Sequence, residues 1–280
     1  MSTVMFGRLG KHLSPLVLNA VKGLIAIALI TVTLLVQGKL EFTLPLPAVG
    51  WLLLSGAIGI GLGDTAYFAA LNHLGARRVL LLESLAPPMA ALLAWGFLSE
   101  RLSSLAWIGI SLTVLGVAWV IAERVPGRGG IVQPGRGIVL GLLAALGQAT
   151  GAVISRGVLA NSDIDPLLSG LLRIGAGLAV LGVLLVRQGQ GRQPWVPLRS
   201  LQILGLVSVA AFFGTYLAIW LQQIAFKFAP AGIAQALTAT SPLFVLPIAI
   251  ALGDRVSWRA VLGVCVALGG VWVLIAYGAG

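Results

Sequence analysis

The sequence contains one pattern twice, and this internal repeat limits the folds that are open to the chain. A shift of 154 positions aligns six pairs: Pro88 with Pro242, Glu100 with Asp254, Arg101 with Arg255, Ser103 with Ser257, Gly109 with Gly263 and Gly116 with Gly270. Each copy has an apolar segment with prolines, a short loop with an acid before an arginine, and a second apolar segment with two glycines. Because an internal repeat determines the architecture, we expect two related halves.

Composition indicates the solvent in which these halves fold. Hydrophobic residues make up 59% of the chain and charged residues only 9%, which leaves too little polar surface for a water-soluble globule. A helix needs roughly 20 apolar residues to cross a hydrocarbon core of about 30 Å. Nine runs reach that length: 16–36, 46–71, 79–98, 104–122, 138–160, 167–186, 201–226, 231–252 and 258–277. We therefore predict an all-α, multi-pass bundle of nine full transmembrane helices in a lipid bilayer, since the alternating patterns of barrel strands are absent from the sequence.

The two halves differ at their beginnings. A shift of 151 positions aligns Pro15, Leu16 and Lys22 with Pro166, Leu167 and Arg173, but the second half has one more span, 138–160, before this match. Residues 1–13 correspond to the end of that additional helix and the loop after it. We expect an N-terminal stub of a truncated first helix, either because the true start lies upstream or because the chain keeps only this stub. A short amphipathic leader is the alternative. The predicted units are a first repeat (1–125), a linker (126–137) and a second repeat (138–280).

These motifs carry a resemblance to a known family. Four motifs occur in the same order in both halves. They are SPLVLNAVK near the start of the first full span, matched by Pro166, Leu167 and Arg173 in the second half; APP or SP in a polar helix; LSERLS or LGDRVS after it; and the glycine pair. The chain thereby resembles the EamA-type transporters of the drug/metabolite transporter superfamily over nearly its whole length. The resemblance implies two inverted five-helix repeats around a central cavity and movement of small metabolites across the cytoplasmic membrane. The chain departs from the family in lacking most of the first helix.

The topology follows from the repeat. A unit of five helices is odd-numbered, so the second copy enters the membrane from the opposite side, as in many secondary transporters with a binding site near the midplane. Twelve Lys and Arg residues lie on the loop side that includes 72–78 and 123–137, and four lie on the other side: Lys39, Arg101, Arg156 and Lys227. The positive-inside rule places the first side in the cytoplasm. A ten-helix family member with a cytoplasmic N-terminus implies the reverse, and both orientations stay open.

Four ionisable residues lie well inside the predicted spans, away from their ends: Lys22, Asp64, Glu83 and Arg173. Charges there are costly and usually face a cavity or a partner, so these are the candidate substrate or proton sites. Lys22, Asp64 and Glu83 are predicted about 9–12 Å below one membrane surface, where they can meet, and Arg173 about 10 Å below the other. A lysine with two carboxylates lets one acid hold or release a proton.

Polar and aromatic residues of the same spans are candidates for the cavity wall: Asn19, Tyr67, Gln148, Tyr216, Trp220, Gln222, Gln235 and Thr238. Four prolines are candidates for a hinge or kink: Pro87, Pro88, Pro242 and Pro247. Structural alternatives stay open for each group. Lys22 and Arg173 can extend along their helices to the headgroups, Asp64 and Lys22 can form a purely structural pair, and the aromatic and proline residues can serve packing alone.

The glycine-rich run GAIGIGLGD at 56–64 has two interpretations. A phosphate-binding loop needs a preceding strand, whereas this run lies within an apolar span. The spacing of Gly59 and Gly63, and of Gly147 and Gly151, is typical of close helix packing. We therefore predict a packing role for both pairs.

Other classes of function are poorly supported by the sequence. The net charge of +10 is spread over loops, where it acts as a topology signal, so no nucleic-acid partner is expected. The sequence contains no HExxH motif and no plausible nucleophile triad, and its single cysteine, Cys265, cannot form a cysteine cluster. We therefore predict no enzyme, metal or cofactor. The predicted partner is a small-molecule solute, with protons as an open addition. A non-transporting assembly or sensor protein is the alternative function, and a homodimer is left open without support.

Overall fold

The computed structural model describes residues 15–39, 44–122, 134–187, 201–240 and 258–277, and this part of the chain is helical without strands. Twelve α-helices follow one another: α1 (Pro15–Val36), α2 (Leu46–Gly56), α3 (Asp64–Leu74), α4 (Ala76–Glu83), α5 (Ala86–Leu98), α6 (Ser104–Ala122), α7 (Pro134–Leu159), α8 (Pro166–Arg187), α9 (Leu201–Ala211), α10 (Ala218–Phe228), α11 (Ala231–Thr238) and α12 (Trp258–Tyr277). The predicted N-terminal stub and most of the predicted linker lie outside the described residues.

Several helical stretches have the dimensions of membrane spans. Six are long and apolar enough to cross a bilayer: Asn19–Val36, Leu46–Leu74, Arg78–Leu98, Gly135–Leu159, Pro166–Arg187 and Val207–Phe228. Shorter apolar stretches occupy Ser104–Trp119 and Val261–Tyr277. Large apolar side chains such as Trp95 and Trp272, each 62% exposed, cover the outside of the bundle, as expected for a surface in contact with lipid. The predicted span 231–252 is described only as far as residue 240.

Two spans contain a segment of π-helix that the sequence did not predict. The first segment, π1 (Ala57–Gly63), connects α2 to α3, and the second, π2 (Phe212–Leu217), connects α9 to α10. The two segments occupy equivalent positions in the repeat. A π-helical turn is wider than an α-helical turn and is frequent at functional sites. In this protein, both segments contribute to the wall of one cavity of about 650 Å³.

Equivalent helices of the two halves pack antiparallel to each other. Val17 near the start of α1 shares a hydrophobic cluster with Leu185 near the end of α8. Leu34 near the end of α1 shares another with Leu167 near the start of α8. Because the ends are exchanged, α1 and α8 run in opposite directions.

The contact between α6 and α12 is the second antiparallel pair, and it depends on glycine. A Cβ atom on Gly109 would lie 2.8 Å from Leu274 Cγ, and one on Gly270 would lie 2.5 Å from the backbone nitrogen of Thr113. A Cβ on Gly116 would overlap the backbone of Ala267. The glycines that align between the two halves of the sequence therefore lie in this interface, where small residues allow helix backbones to approach.

The paired glycines of the first and second halves also pack as predicted. A Cβ on Gly147 would lie 3.2 Å from Gly63 Cα, and a Cβ on Gly151 would lie 3.1 Å from Gly59 Cα. Ser55 reinforces the same contact, since its hydroxyl group donates to the carbonyl oxygen of Gly151 at 2.7 Å. This close contact brings π1 against α7 and fixes the position of the residue that follows π1, Asp64.

The predicted helix break in the first half lies at the paired prolines. Helix α4 ends at Glu83 and α5 begins at Ala86, so that Pro87 and Pro88 fall in the first turn of α5, where no intrahelical N–H is needed. The hydroxyl group of Ser84 donates to the carbonyl oxygen of Leu81 at 2.7 Å. At the equivalent position, Thr238 donates to the carbonyl oxygen of Gln235 at 2.9 Å and ends α11. Pro242 and Pro247 lie outside the described residues.

Candidate functional site

The main cavity of the described structure has a volume of about 650 Å³ and lies between the two halves. Its wall combines residues of α1, π1 and α3 from the first half with residues of α7, α8, π2, α10 and α11 from the second. Lys22, Asp64 and Arg173 are the charged residues that the described structure places in this wall. Small-molecule sites usually measure about 300–1,000 Å³, so the cavity can hold a metabolite.

The side chain of Asp64 on α3 connects this helix to α1 and α7. Asp64 is the first residue after π1, and its two carboxylate oxygens accept hydrogen bonds from different elements. Asn19 Nδ2 on α1 donates to Oδ2 at 3.3 Å, and Gln148 Nε2 on α7 donates to Oδ1 at 3.2 Å. Lys22, one helical turn after Asn19, interacts electrostatically with the same carboxylate. The carboxylate of Asp64 therefore links the first half to the second.

Arg173 lies inside the bundle and not along a lipid-facing surface. Its side chain is almost fully buried, since the residue is only 2% exposed. Arg173 Nη1 donates to Gln223 Oε1 at 2.9 Å, and Gln223 Nε2 donates to Ser169 Oγ at 2.8 Å. The guanidinium carbon lies 5.9 Å from the centroid of the Phe226 ring, and Nε has no hydrogen-bond partner among the described residues. This position excludes extension of the side chain to the headgroups.

The backbone of Arg173 is in close contact with α2, just as its side chain is in close contact with its neighbours. A Cβ on Gly56 would overlap the carbonyl group of Arg173, so α2 and α8 touch through their backbones at this point. The closeness requires glycine at position 56. Gly56 thereby positions Arg173 relative to π1, which begins at the next residue.

Glu83 lies in a side cavity of about 200 Å³. Gln148, Gln222 and Thr238 belong to the walls of both cavities, so the two volumes adjoin. Glu83 Oε2 is buried and has no hydrogen-bond partner within the described part of the chain. The carboxyl groups of Glu83 and Asp64 interact electrostatically with each other. The side cavity therefore combines one carboxyl group with neutral hydrogen-bonding side chains.

The remaining sequence-predicted wall residues separate into two groups. Asn19, Gln148, Gln222, Gln235 and Thr238 line one or both cavities. Tyr67, Tyr216 and Trp220 pack in hydrophobic clusters instead: the hydroxyl group of Tyr216 pairs with Thr33 Oγ1 at 2.9 Å, and its ring centroid lies 5.9 Å from that of Trp220.

Sequence reasoning missed three polar residues at the site. Gln223 accepts a hydrogen bond from Arg173 and donates one to Ser169. Thr215 on π2 lines the main cavity, and its buried hydroxyl group has no partner among the described residues. Ser169 lies four residues before Arg173 on α8, a spacing that places both on one helix face. That spacing was the available signal for Ser169.

A second polar network closes one end of the bundle. Arg156 Nε donates to Glu100 Oε1 at 2.7 Å, and Nη1 donates to the carbonyl oxygen of Lys227 at 2.7 Å. The other carboxylate oxygen of Glu100 accepts a hydrogen bond from the backbone nitrogen of Ala231 at 3.0 Å. Glu100 comes from the repeated acid-arginine motif, whose second copy at Asp254 lies outside the described residues. The network connects the loop after α5 to the junction of α10 and α11.

Two further polar contacts lie at the same end. Lys39 Nζ lies 3.1 Å from Asp165 Oδ2, which joins the end of α1 to the start of α8. Lys227 Nζ donates to the carbonyl oxygen of Ile164 at 3.0 Å. Lys22 lies toward the opposite end of α1, so the charged cavity and the polar network occupy different levels of the bundle.

Comparisons with known proteins agree with this architecture. The model of the EamA-like transporter family matches residues 1–122 and 135–276. The chain belongs to the EamA-like transporter family. Residues 123–134 separate the two matched regions. As a member of this family with several membrane-length apolar helices, the protein is a multi-pass integral membrane protein.

One solved structure has the same fold as this EamA-like chain. It is a crystal structure of a protein with 19% sequence identity, and the match has a TM-score of 0.80 over 99% of this chain and 91% of that chain. At this identity, the likeness shows the fold alone. The comparison with curated proteins gives no significant match.

Proposed function

We propose that this protein is a secondary transporter that moves a small metabolite or drug-like solute across the cytoplasmic membrane by alternating access. The observation that carries the proposal is the main cavity, which has walls from both halves and contains Lys22, Asp64 and Arg173. Ionisable groups inside membrane helices are costly and usually mark the path of a solute or ion. A wet cavity between the halves compensates for that cost.

The proposed architecture is a pair of inverted repeats with nine full spans in the given sequence. Antiparallel packing of the equivalent helices α1 and α8, and of α6 and α12, supports the inversion. In such transporters, one half rocks against the other around a fixed site. The breaks between α4 and α5 and after α11 adjoin the side cavity and give these helices a place to bend.

The proposed coupling site is Glu83, with Asp64 as its neighbour and Lys22 as the counter-charge. Glu83 Oε2 has no hydrogen-bond partner among the described residues, although it is buried beside a polar cavity. A carboxyl group in that setting is able to exchange a proton with a solute or with water.

The loops on the strongly basic side are assigned to the cytoplasm, which places the Glu100 and Arg156 network at the opposite membrane surface.

Reconstituted protein tests the proposal. We expect proteoliposomes that contain the parent chain to accumulate or release at least one solute, which is recovered chemically unchanged, from a panel of amino acids, nucleosides, organic anions and cations. Glu83→Gln is expected to remove the pH dependence of transport, because the amide retains the shape but exchanges no proton. Asp163→Asn, at an exposed position in the loop before α8, is the matched control and should retain the parent's pH profile.

Two results would overturn parts of this proposal. Transport by Glu83→Gln with the same pH profile as the parent would exclude the coupling role of Glu83. If the parent moves no member of the panel in either direction, while purified protein is folded and binds a partner chain, the assembly or sensor alternative is favoured over transport.

A further inference from the structure

Glu100 belongs to the first half of the chain, and the second half binds both of its carboxylate oxygens. Arg156 Nε on α7 donates to Oε1 at 2.7 Å, and the backbone nitrogen of Ala231 donates to Oε2 at 3.0 Å. The side chains of Glu100 and Arg156 are only 16% and 17% exposed. Hydrogen bonds between ionised groups are short and strong, and salt screens a mostly buried pair weakly. This pair therefore joins the two halves at one end of the bundle.

Two helix ends of the second half also depend on this pair. In the last turn of α10, the carbonyl oxygens of Phe226 and Lys227 accept hydrogen bonds from Arg156 Nη1 at 3.1 Å and 2.7 Å. Helix α11 begins at Ala231, and the residue before it supplies no side-chain cap, so the first N–H donates to Glu100 instead. The ends of a helix leave backbone groups without intrahelical partners. Separation of the halves at this point would remove the partners of both helix ends together.

The backbone at the end of α5 fixes the position of Glu100. Ser99 has the left-handed conformation, with a φ of 56°, and ends the helix. The backbone nitrogen of Glu100 then donates to the carbonyl oxygen of Ala94 at 3.2 Å. The carboxylate of Glu100 is therefore held in place from its own backbone as well as from the second half.

Small residues bring α5 into close contact with the second half beside this pair. A Cβ on Gly232 of α11 would lie 2.5 Å from Ala91 Cβ, and a Cβ on Gly157 of α7 would lie 2.9 Å from Leu98 Cδ2. Five buried residues of these three helices share one hydrophobic cluster: Ala90, Ala94, Ala149, Val153 and Ala231. A solute therefore passes between α5 and these helices only if they separate.

The wall of the main cavity reaches the helix ends that the pair binds. Ala225 lines the cavity and directly precedes Phe226, and Ala234 lines it one turn after Ala231. The loop between α7 and α8 lies at the other side of the pair, since α7 ends shortly after Arg156. The pair thus lies between the cavity and one surface of the bundle.

We propose that Glu100 and Arg156 form a latch that keeps this end of the bundle closed, and that a solute passes between the main cavity and this surface only after the latch breaks. The inference deepens the proposed function and rests on it for the statement that a solute passes. Opening of this end does not itself depend on transport. Glu100 and Arg156 are positioning residues, because they act on the helices and not on the solute.

A second ion pair at the same end provides a matched control. Lys39 Nζ lies 3.1 Å from Asp165 Oδ2 and also joins the two halves, but the Lys39 side chain is 56% exposed. Exposed ion pairs contribute little to stability, so Lys39→Gln removes a charge at this end without opening it.

Side-specific thiol labelling tests the latch. In a Cys265→Ser background, Gln222→Cys reports access to the cavities, and Asn161→Cys in the exposed loop after α7 identifies the vesicle orientation that presents the latch surface. We expect Glu100→Gln to raise the rate at which a membrane-impermeant maleimide modifies Gln222→Cys from that surface at least tenfold, and not from the opposite surface. Lys39→Gln should label at the parent's rate.

Two results would overturn the latch. One is a rate in Glu100→Gln equal to that in Lys39→Gln. The other is an equal increase from both surfaces, because a general loosening of the bundle is not specific to one end.

Variants of Arg156 test whether the two residues act as one unit. Arg156→Gln should raise the rate as Glu100→Gln does, and the double variant should exceed neither single variant, because loss of either partner breaks the same latch. Multiplied effects in the double variant would show that the residues act independently. If Arg156→Gln lacks a cooperative thermal transition, Arg156→Lys replaces it: lysine retains the charge but lacks the planar fork, so a smaller increase is expected.

Failure of this inference and failure of the proposed function give different results. If Glu100→Gln and Lys39→Gln label alike while proteoliposomes of the parent transport a solute, the latch is wrong and transport stands. If labelling from the latch surface depends on Glu100 while the parent moves no solute, the latch stands and the transport proposal falls.

Discussion

Asp64 shows how a single residue connects the parts of this site. Its carboxylate accepts hydrogen bonds from α1 through Asn19 and from α7 through Gln148, and it interacts electrostatically with Lys22. The close packing of π1 on α7 brings these partners within reach. Residues of both halves thus depend on one negative charge for their arrangement.

A charge-rescue experiment tests this dependence. Asp64→Asn removes the negative charge that faces Lys22 and Arg173, so we expect the free energy of unfolding to fall by about 1–3 kcal/mol. Lys22→Gln in the same chain should restore most of the loss. Denaturation in detergent measures both effects.

The outcome of the double variant decides the interpretation. If the losses of Asp64→Asn and Lys22→Gln simply add, the two side chains do not interact and Asp64 is held by its hydrogen bonds alone.

The sequence predicted which residues carry charge into the membrane, but not all of their partners. Lys22, Asp64, Glu83 and Arg173 stand out because ionisable groups in apolar runs are rare and costly. The partner of Arg173 is Gln223, one position from the predicted Gln222. Adjacent helical residues differ by about 100° in direction, and the preceding π2 segment changes the register, so periodicity alone does not distinguish them.

At the level of helices, the contact between α6 and α12 depends on the glycines of the repeat. A Cβ on Gly116 would overlap the backbone of Ala267, and backbone atoms cannot move aside as a flexible side chain can. By contrast, no atom of the described residues lies within 4 Å of the corresponding position on Gly269, which is exposed on α12. These two glycines therefore form a matched pair for substitution.

Alanine substitutions at the two positions should have opposite effects. Gly116→Ala should destabilise the protein by about 1–3 kcal/mol, because the added methyl group separates the helices. Gly269→Ala should be neutral or stabilising by up to about 1 kcal/mol, because alanine favours helix. Thermal unfolding in detergent measures the difference. Equal stability of the two variants would show that α6 and α12 are not in backbone contact.

The positions of the helices follow from the lengths of the apolar runs, and the break before α5 follows from the chemistry of proline. The sequence predicted both features. The π segments were not predicted, because their sequences, AIGIGLG and FFGTYL, differ from each other and continue the apolar pattern without interruption. The first segment, π1, packs closely on α8: Gly61 and Gly177 have side chains of the facing segment within 3 Å of the position where a Cβ would be. Such contacts between distant segments are not visible in a local pattern.

In the whole molecule, the polar network and the main cavity lie at different levels. Glu100, Arg156 and Lys227 tie together the end of the bundle that holds the α10 to α11 junction. Lys22 lies near the start of α1, toward the other end. The described bundle therefore has its polar network at one end and Lys22 toward the other.

The repeat predicted the two halves and their related helices, because a duplicated sequence folds into duplicated units. It did not predict that Arg173 and the first-half charges share one cavity. Depth from each surface placed them about 10 Å from opposite sides. The cavity spans both levels, and it is formed by packing between distant segments that a local pattern does not show. The orientation in the membrane stays a prediction from the loop charges.

Thiol labelling tests most directly whether a water-filled cavity lies between the halves. In a Cys265→Ser background, Gln222→Cys lies in the wall of both cavities, whereas Trp272→Cys lies on the exposed apolar surface of α12. We expect a membrane-impermeant maleimide to modify Gln222→Cys in lipid vesicles and to leave Trp272→Cys unmodified. Modification of neither residue, or of Trp272→Cys alone, would contradict the presence of the cavity on which the account depends.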